Sequence, residues 1–427
     1  MRGLVGSALL VALAVAAVSG PAAAQVEAGG ALHACRLPVV ETAAPAAVGG
    51  SARRAAPDCD PATEGARFEV AYTGFPDAAR AAFQAAVDTW SCRIRSDQTV
   101  RVSATWSSLE AGTLGSAGPY LYRNFDGAPA RDVWYPAALA DHYARRDLGD
   151  GEPDIDAFFN SQFSDWHFGP GPPPARAYDL YTVVLHELGH GLGLIGTMAV
   201  EDGLGYVGRE PRGPYSYDLH TVDAEGRPLL DATRYPDRSA ALADALVSPV
   251  RFTGRAVRAS GSGPVPLYSP SRWVAGGSYS HLDEDAFAPG TPDGLMTPFI
   301  AREETVAAPG TAVCAMLADV GWTLAGDCAA RVGPLPPIAG GVRVERRGPN
   351  PFSTTTRVSL ESDATLSVGA VLVDVLGRRV ADYGRRVLVA DRPLDLTLDG
   401  SRLASGVYTL VVVGAEEAVR VPFTVVR

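Results

Sequence analysis

Residues 178–196 read YDLYTVVLHELGHGLGLIG, two histidines and a glutamate set in an otherwise apolar run. Val183, Val184, Leu185, Leu188 and Leu192 recur as on a buried helix, and Asp179 stands where its N-cap belongs. On a helix, residues four apart lie about 6 Å apart along the axis and nearly eclipsed, so His186 and His190 can both reach one Zn²⁺ at about 2.0–2.1 Å. Glu187 is rotated by about 100° from His186. It is too short and misdirected to be an easy ligand, yet well placed to act as general base on a water at the metal. Two imidazoles and a carboxylate among valines and leucines are costly without an ion to hold, which argues against a plain core helix with satisfied histidines.

Glycines sharpen the reading. Gly189, Gly191, Gly193 and Gly196 cluster at the end of the segment, where each costs up to about 1 kcal/mol of helix propensity. Gly193, three residues after His190, suits a left-handed turn that ends the helix abruptly.

The rest of the composition excludes much. All 37 basic residues are arginine, which removes a P-loop lysine, a Schiff-base lysine and a lysine general base. A net charge of −11 gives no footprint for nucleic acid or anionic lipid. At 427 residues the chain is longer than one ordinary core supports, so two or three domains are expected.

Residues 1–24 read as an export signal: Arg2, an apolar run from Leu4 to Val18, and Ala22-Ala23-Ala24 ahead of Gln25. No later stretch is long enough to span a bilayer, so the mature chain is expected to be secreted or on the outer cell surface, where disulfides persist. Five cysteines leave at least one without an intrachain partner. Cys314 with Cys328 is the easiest pair and Cys59 with Cys92 a plausible second, leaving Cys35 free. Residues 25–64, rich in Ala, Pro and Gly, suggest a lead-in or pro-segment. From there to residue 328 the pattern is α+β, with strands expected at Phe68–Tyr72 and Val100–Trp106 and a helix over Asp77–Ile94. A Pro/Gly linker, 329–341, precedes an all-β tail at 342–427, with strands expected at Arg357–Leu360, Leu366–Leu376, Arg386–Leu398 and Val407–Val413.

His186, Glu187, His190 and Gly193 together spell HExxHxxG, the start of the metzincin pattern. In most metzincins a third histidine follows at the tenth position after the first; here that position is Gly196. A third ligand must therefore come from elsewhere. His281, in GGSYSHLDEDAF, is followed by DGLMTPF, whose Met296 is the candidate for the methionine turn that metzincins place beneath the metal. The segment from Arg67 to Trp322 resembles bacterial secreted zinc peptidases of the metzincin clan, with the long insertion before the third histidine that marks the leishmanolysin type. It also carries a following helix, TAVCAMLADVGW. The resemblance implies an α+β zinc peptidase domain with His186, His190 and His281 as ligands and Glu187 as base, hydrolysing protein or peptide substrates by attack of a zinc-activated water. His220 and the carboxylates Asp283 and Glu284 remain as other third ligands, and Met296 as a plain core methionine.

Weaker signals accompany these. Asp150, Glu152, Asp154 and Asp156 form a candidate Ca²⁺ site, weighed against a solvated loop. Cys35 is a candidate ligand that would keep a zymogen silent. Trp134, Tyr135 and Trp166 read as core or cleft walls. The tail resembles the C-terminal sorting domain of the type IX secretion system. The shared elements are Pro349-Asn350-Pro351-Phe352, the strand and turn from Asp374 to Val380, and Ser405-Gly406-Val407-Tyr408. That resemblance implies type IX machinery as a partner and a small β-sandwich as the fold; an adhesive or carbohydrate-binding sandwich is the other reading. For the whole chain, the alternative to a zinc metalloendopeptidase is a secreted surface or adhesion protein with a structural zinc and no proteolysis, or an amidase on the same metal.

Overall fold

The computed structural model describes residues 27–29, 37–38, 59–61, 63–208, 212–333, 342–362, 366–388, 393–413 and 418–427. The export segment, Cys35, and most of the lead-in and linker lie outside these residues.

β1 (Leu37–Pro38), β2 (Phe68–Thr73), β3 (Val100–Ser107), β4 (Thr113–Pro119) and β5 (Ile155–Asn160) form a five-stranded sheet in the order β1-β4-β5-β3-β2. β2, β3 and β5 run parallel, and β4 is antiparallel to β5 and to β1. The lead-in thus contributes an edge strand, although its composition carries little periodicity. α1 (Asp77–Ser91) stops three residues short of its expected end, because Ile94–Arg95 leaves the helix to pair with Thr323–Leu324. α2 (Ala137–Ala144) follows β4 in the chain.

α3 (Leu180–Gly191) carries His186, Glu187 and His190, and all twelve of its residues are buried. Asp179 caps it, its carboxylate accepting from the Thr182 backbone N–H at 3.3 Å, which satisfies one of the amides a helix start leaves over. α1 lies against it: the Trp90 indole N–H donates to the Leu185 carbonyl at 2.9 Å, and the Thr89 and Tyr181 hydroxyls pair at 2.9 Å.

The insertion after α3 adds α4 (Ala240–Leu246), α5 (Arg255–Ala259) and a three-stranded antiparallel sheet of β6 (Thr221–Val222), β7 (Val250–Phe252) and β8 (Val265–Leu267). Leu267 at the end of β8 bridges to Leu282, so this sheet delivers the chain to His281. α6 (Thr311–Val320) and α7 (Gly326–Val332) close the region. Disulfides Cys59–Cys92 and Cys314–Cys328 join the pairs expected from spacing. Seven α-helices and several small sheets among the described residues make the chain a mixed α+β protein with no closed barrel, and none of these helices is long and apolar enough to cross a membrane.

Two antiparallel sheets follow. One orders β9 (Arg343–Arg346), β10 (Thr355–Glu361) and β13 (Leu394–Asp399); the other orders β12 (Arg379–Leu388), β11 (Leu366–Asp374), β14 (Gly406–Val413) and β15 (Ala418–Val425). Both feed one core, separate from the first, that includes Val358 and Leu398 from one sheet and Leu372, Leu410 and Phe423 from the other. The single strand expected at Arg386–Leu398 is two, β12 ending at Leu388 and β13 starting at Leu394. Leu376, expected in β11, lies in the turn after it, where its N–H donates to the Asp374 carboxylate at 2.9 Å.

Asp141 on α2 and Asp154 ahead of β5 are buried in the first core at 1% and 4% exposure. Burial pushes their carboxyls up to about 6 and about 7, against the opposing backbone donors Leu148 and Arg101. A carboxyl raised on folding keeps a proton that the unfolded chain releases. Its stabilising contribution is full below the ordinary value and lost as pH rises through the raised one. Asp154→Asn is therefore expected to gain stability on the wild type between about pH 5 and pH 8, as read by denaturant unfolding; a difference constant over that range would show the pair already ionised at the lower pH.

Candidate metal centre

His186 and His190 stand on successive turns of α3, their Nε2 atoms 3.1 Å apart. What orients each ring is a backbone carbonyl. The helix ends in a Schellman turn: Gly193 N–H donates to His190 O and Leu194 N–H to Gly189 O, with Gly193 at φ +111°. That turn swings the Leu194 carbonyl back beneath the helix, where it accepts from His190 Nδ1 at 2.7 Å. Pro136 lies 3.0 Å from where a Cβ on Gly193 would stand, so both backbone shape and space ask for glycine there. His186 Nδ1 is held at 2.7 Å by the carbonyl of Leu295, in the 3₁₀ turn Pro292–Met296.

His281, 91 residues beyond His190, brings its Nε2 to 3.2 Å from that of His190 and stacks on His186 with ring centroids 5.2 Å apart. Its Nδ1 meets the Gly277 carbonyl at 2.8 Å. Leu282 N–H donates to Met296 O, tying this segment to the 3₁₀ turn Pro292–Met296. Met296 lies against the bare face of Gly189: a Cβ there would stand 2.8 Å from its Sδ. Gly189 thus accepts a propensity cost inside the helix because Met296 fills the space beneath it.

At Gly196 the reason for the missing histidine is visible. A Cβ there would lie 2.2 Å from the Tyr279 ring, 2.6 Å from Asp218 Oδ1 and 2.9 Å from the Tyr217 ring. The segment that carries His281 occupies the space a side chain at 196 would need, and Gly196 N–H donates to Ser280 Oγ at 3.1 Å.

With each Nδ1 donating to a carbonyl, each Nε2 presents a lone pair, and the three lone pairs face one another. Burial holds His186 down to about 4, against the Leu295 carbonyl, and burial together with the neighbouring imidazoles holds His281 down to about 3 and His190 well below the ordinary range. Three neutral acceptors at such distances repel unless a cation sits among them, and an all-imidazole set suits zinc and neighbouring divalent transition ions. Among the described residues, these three are the His, Cys, Asp or Glu group whose ligand atoms converge, all lying within 4.8 Å of one another.

Glu187 is fully buried. Its Oε2 accepts from the Ala117 backbone N–H on β4 at 2.7 Å, and its Oε1 is buried without a hydrogen-bond partner. Burial pushes the carboxyl up to about 8, against the Ala117 donor.

The other ligand candidates lie elsewhere. His220 stacks on Phe252 with centroids 5.2 Å apart. Asp283 caps its own loop through the N–H groups of Asp285 and Ala286, and Glu284 lies beside Glu304 and Thr297. The acidic run 150–156 does not converge as a cation site: Asp154 turns inward to the Arg101 N–H and no acidic group meets at one point among the described residues. Trp134 and Tyr135 are core residues, and Trp166 is half-buried against Trp106. Sequence reasoning missed the three carbonyl acceptors, which carry no side-chain signal, as well as Ala117, Asp218 and Tyr279.

Gly189→Ala is expected to destabilise the chain by about 1–3 kcal/mol through overpacking. Part of that cost should vanish in Gly189→Ala/Met296→Ala, and strict additivity of the two substitutions in denaturant unfolding would show that they do not share the space.

No protein-family model and no curated protein matches the chain. Solved structures matching part of it include a crystal structure of a Bifidobacterium adolescentis GH3 beta-glucosidase, at 21% identity over 20% of this chain with a TM-score of 0.13. That match spans 16% of the beta-glucosidase chain and carries no argument about fold or activity.

Proposed function

We propose that the chain is a secreted zinc metalloendopeptidase of metzincin type, cleaving protein or peptide substrates. The observation that carries the reading is the pairing of three converging imidazole lone pairs with a neighbouring glutamate that keeps one buried oxygen uncommitted. A zinc ion held by His186, His190 and His281 would supply Lewis-acid charge and lower the pKa of water towards neutrality. Glu187, fixed by the Ala117 N–H on Oε2, has Oε1 left to take a proton from water and pass it to the leaving amine.

The domain division proposed with it is an export signal at 1–24, a lead-in at 25–64, the peptidase at 65–328, a linker at 329–341 and a type IX sorting domain at 342–427. Two disulfides and the absence of a membrane-crossing helix among the described residues are compatible with an extracellular protein. In the tail, Asn350 Oδ1 accepts from Thr424 N–H at 2.7 Å and Phe352 is buried, which gives the Pro-Asn-Pro-Phe segment a structural role under either reading of that domain.

Near-complete burial of the triad favours one other reading, a structural zinc in a surface protein that cleaves nothing. The two separate on Glu187→Ala. A peptidase variant is expected to keep one zinc per chain while cleavage of an unfolded protein such as casein falls by about 10²–10⁴-fold. If the wild type holds zinc, cleaves no protein or peptide, and the substitution changes nothing, the peptidase reading is lost.

A further inference from the structure

Next to the third ligand lies a buried network of tyrosines, a threonine and a carboxylate. Tyr279, two residues before His281, is buried at 1% exposure with φ +76°, a conformation bulky residues rarely adopt. Its placement sets the loop: with the chain turned at Tyr279, the Gly277 carbonyl faces the His281 ring four residues on and accepts from Nδ1. Several bonds hold Tyr279 there. Its N–H donates to Tyr268 O at 2.8 Å, its carbonyl accepts from the Tyr217 hydroxyl at 3.0 Å, and its own hydroxyl donates to Asp218 Oδ1 at 2.6 Å and pairs with Thr221 Oγ1 at 2.9 Å.

Asp218 is the hub. Its buried carboxylate also accepts from the N–H groups of Tyr215, at 2.7 Å, and of Thr197, at 3.1 Å. Thr197 follows Gly196, the residue that leaves room for the Tyr279 ring. One carboxylate therefore links the exit of α3, which carries two of the histidines, to the turn that aims the third.

We infer that Asp218 and Tyr279 are positioning residues for the metal centre: the Asp218–Tyr279 bond fixes the backbone turn that presents His281 to His186 and His190, and so sets metal affinity from outside the ligand set. The inference rests on the reading of the three histidines as a metal site. Without the Tyr279 hydroxyl bond the turn relaxes, Gly277 O leaves His281 Nδ1, and the third Nε2 is no longer aimed.

Cobalt(II) binding to the full chain, measured by chelator competition with the visible ligand-field band recorded alongside, tests this. Tyr279→Phe and Asp218→Asn are each expected to weaken Co²⁺ binding by about ten- to a hundredfold and to alter the band, with the double variant no weaker than the worse single one. Thr221→Val, which removes the second partner of the Tyr279 hydroxyl and the Thr221 Oγ1 bond to the Asp218 carbonyl but leaves the Asp218–Tyr279 bond in place, should weaken binding in the same direction by less. Wild-type affinity and spectrum in Tyr279→Phe and Asp218→Asn would overturn the inference. So would failure of both to fold combined with unchanged binding in Thr221→Val. A wild-type chain that binds no Co²⁺, or a His281→Ala chain that binds it equally well, would instead remove the metal reading itself.

Discussion

Three hydrogen bonds from imidazole Nδ1 atoms to main-chain carbonyls govern this centre. Leu194, Gly277 and Leu295 each supply one acceptor, and each lies in a different segment: the helix exit, the end of the insertion and the 3₁₀ turn Pro292–Met296. Because a donating Nδ1 leaves Nε2 as an acceptor, the carbonyls choose the tautomer as well as the direction of every ring. The protein thus gathers three like dipoles at one buried point, an arrangement that is costly alone and becomes favourable when a cation offsets it.

Missing side chains make that convergence sterically feasible. Gly189 makes room for Met296, Gly191 for Ile155, and Gly196 for Tyr279 and Asp218, while Gly193 turns the chain. Gly189 and Gly191, the two inside α3, weaken the helix locally in propensity, and packing against the sheet, α1 and the turn at Pro292–Met296 offsets the loss. Helix termination and ligand orientation are one structural event here, since the same turn both ends α3 and aims the carbonyl at His190.

The parts of this legible in the sequence share a cause. The α3 helix, its Asp179 cap, the turn at Gly193 and the two disulfides depend on residues close in the chain or on cysteine arithmetic, and local pattern reports them. His281 was reachable because a Leu-Met-Thr-Pro segment follows it within a short span. The edge strand at Leu37–Pro38 was not legible, since it is two residues long and fixed by its partner β4 rather than by its own alternation. Asp218 was hidden for a related reason. Its neighbours in sequence, Tyr217 and Leu219, give a polar residue in a loop, and its partners Thr197 and Tyr279 lie far off in the chain. Likewise the split of Arg386–Leu398 into two strands hid inside a continuous alternating pattern, because alternation reports strand conformation without saying where a chain changes sheets.

The tail's first and last segments are neighbours. Phe352 N–H donates to Thr424 O, Val426 N–H donates to Phe352 O, and Phe423 and Val425 complete the core that Val358 and Leu372 begin. A chain that appears from its N-terminal side cannot close that core until residues 418–425 are free, while the first core, built from residues 66–332, is complete in sequence well before then. That order is written into the topology: the region that carries the three histidines has the opportunity to fold while the β tail is still open, and the tail core closes after it.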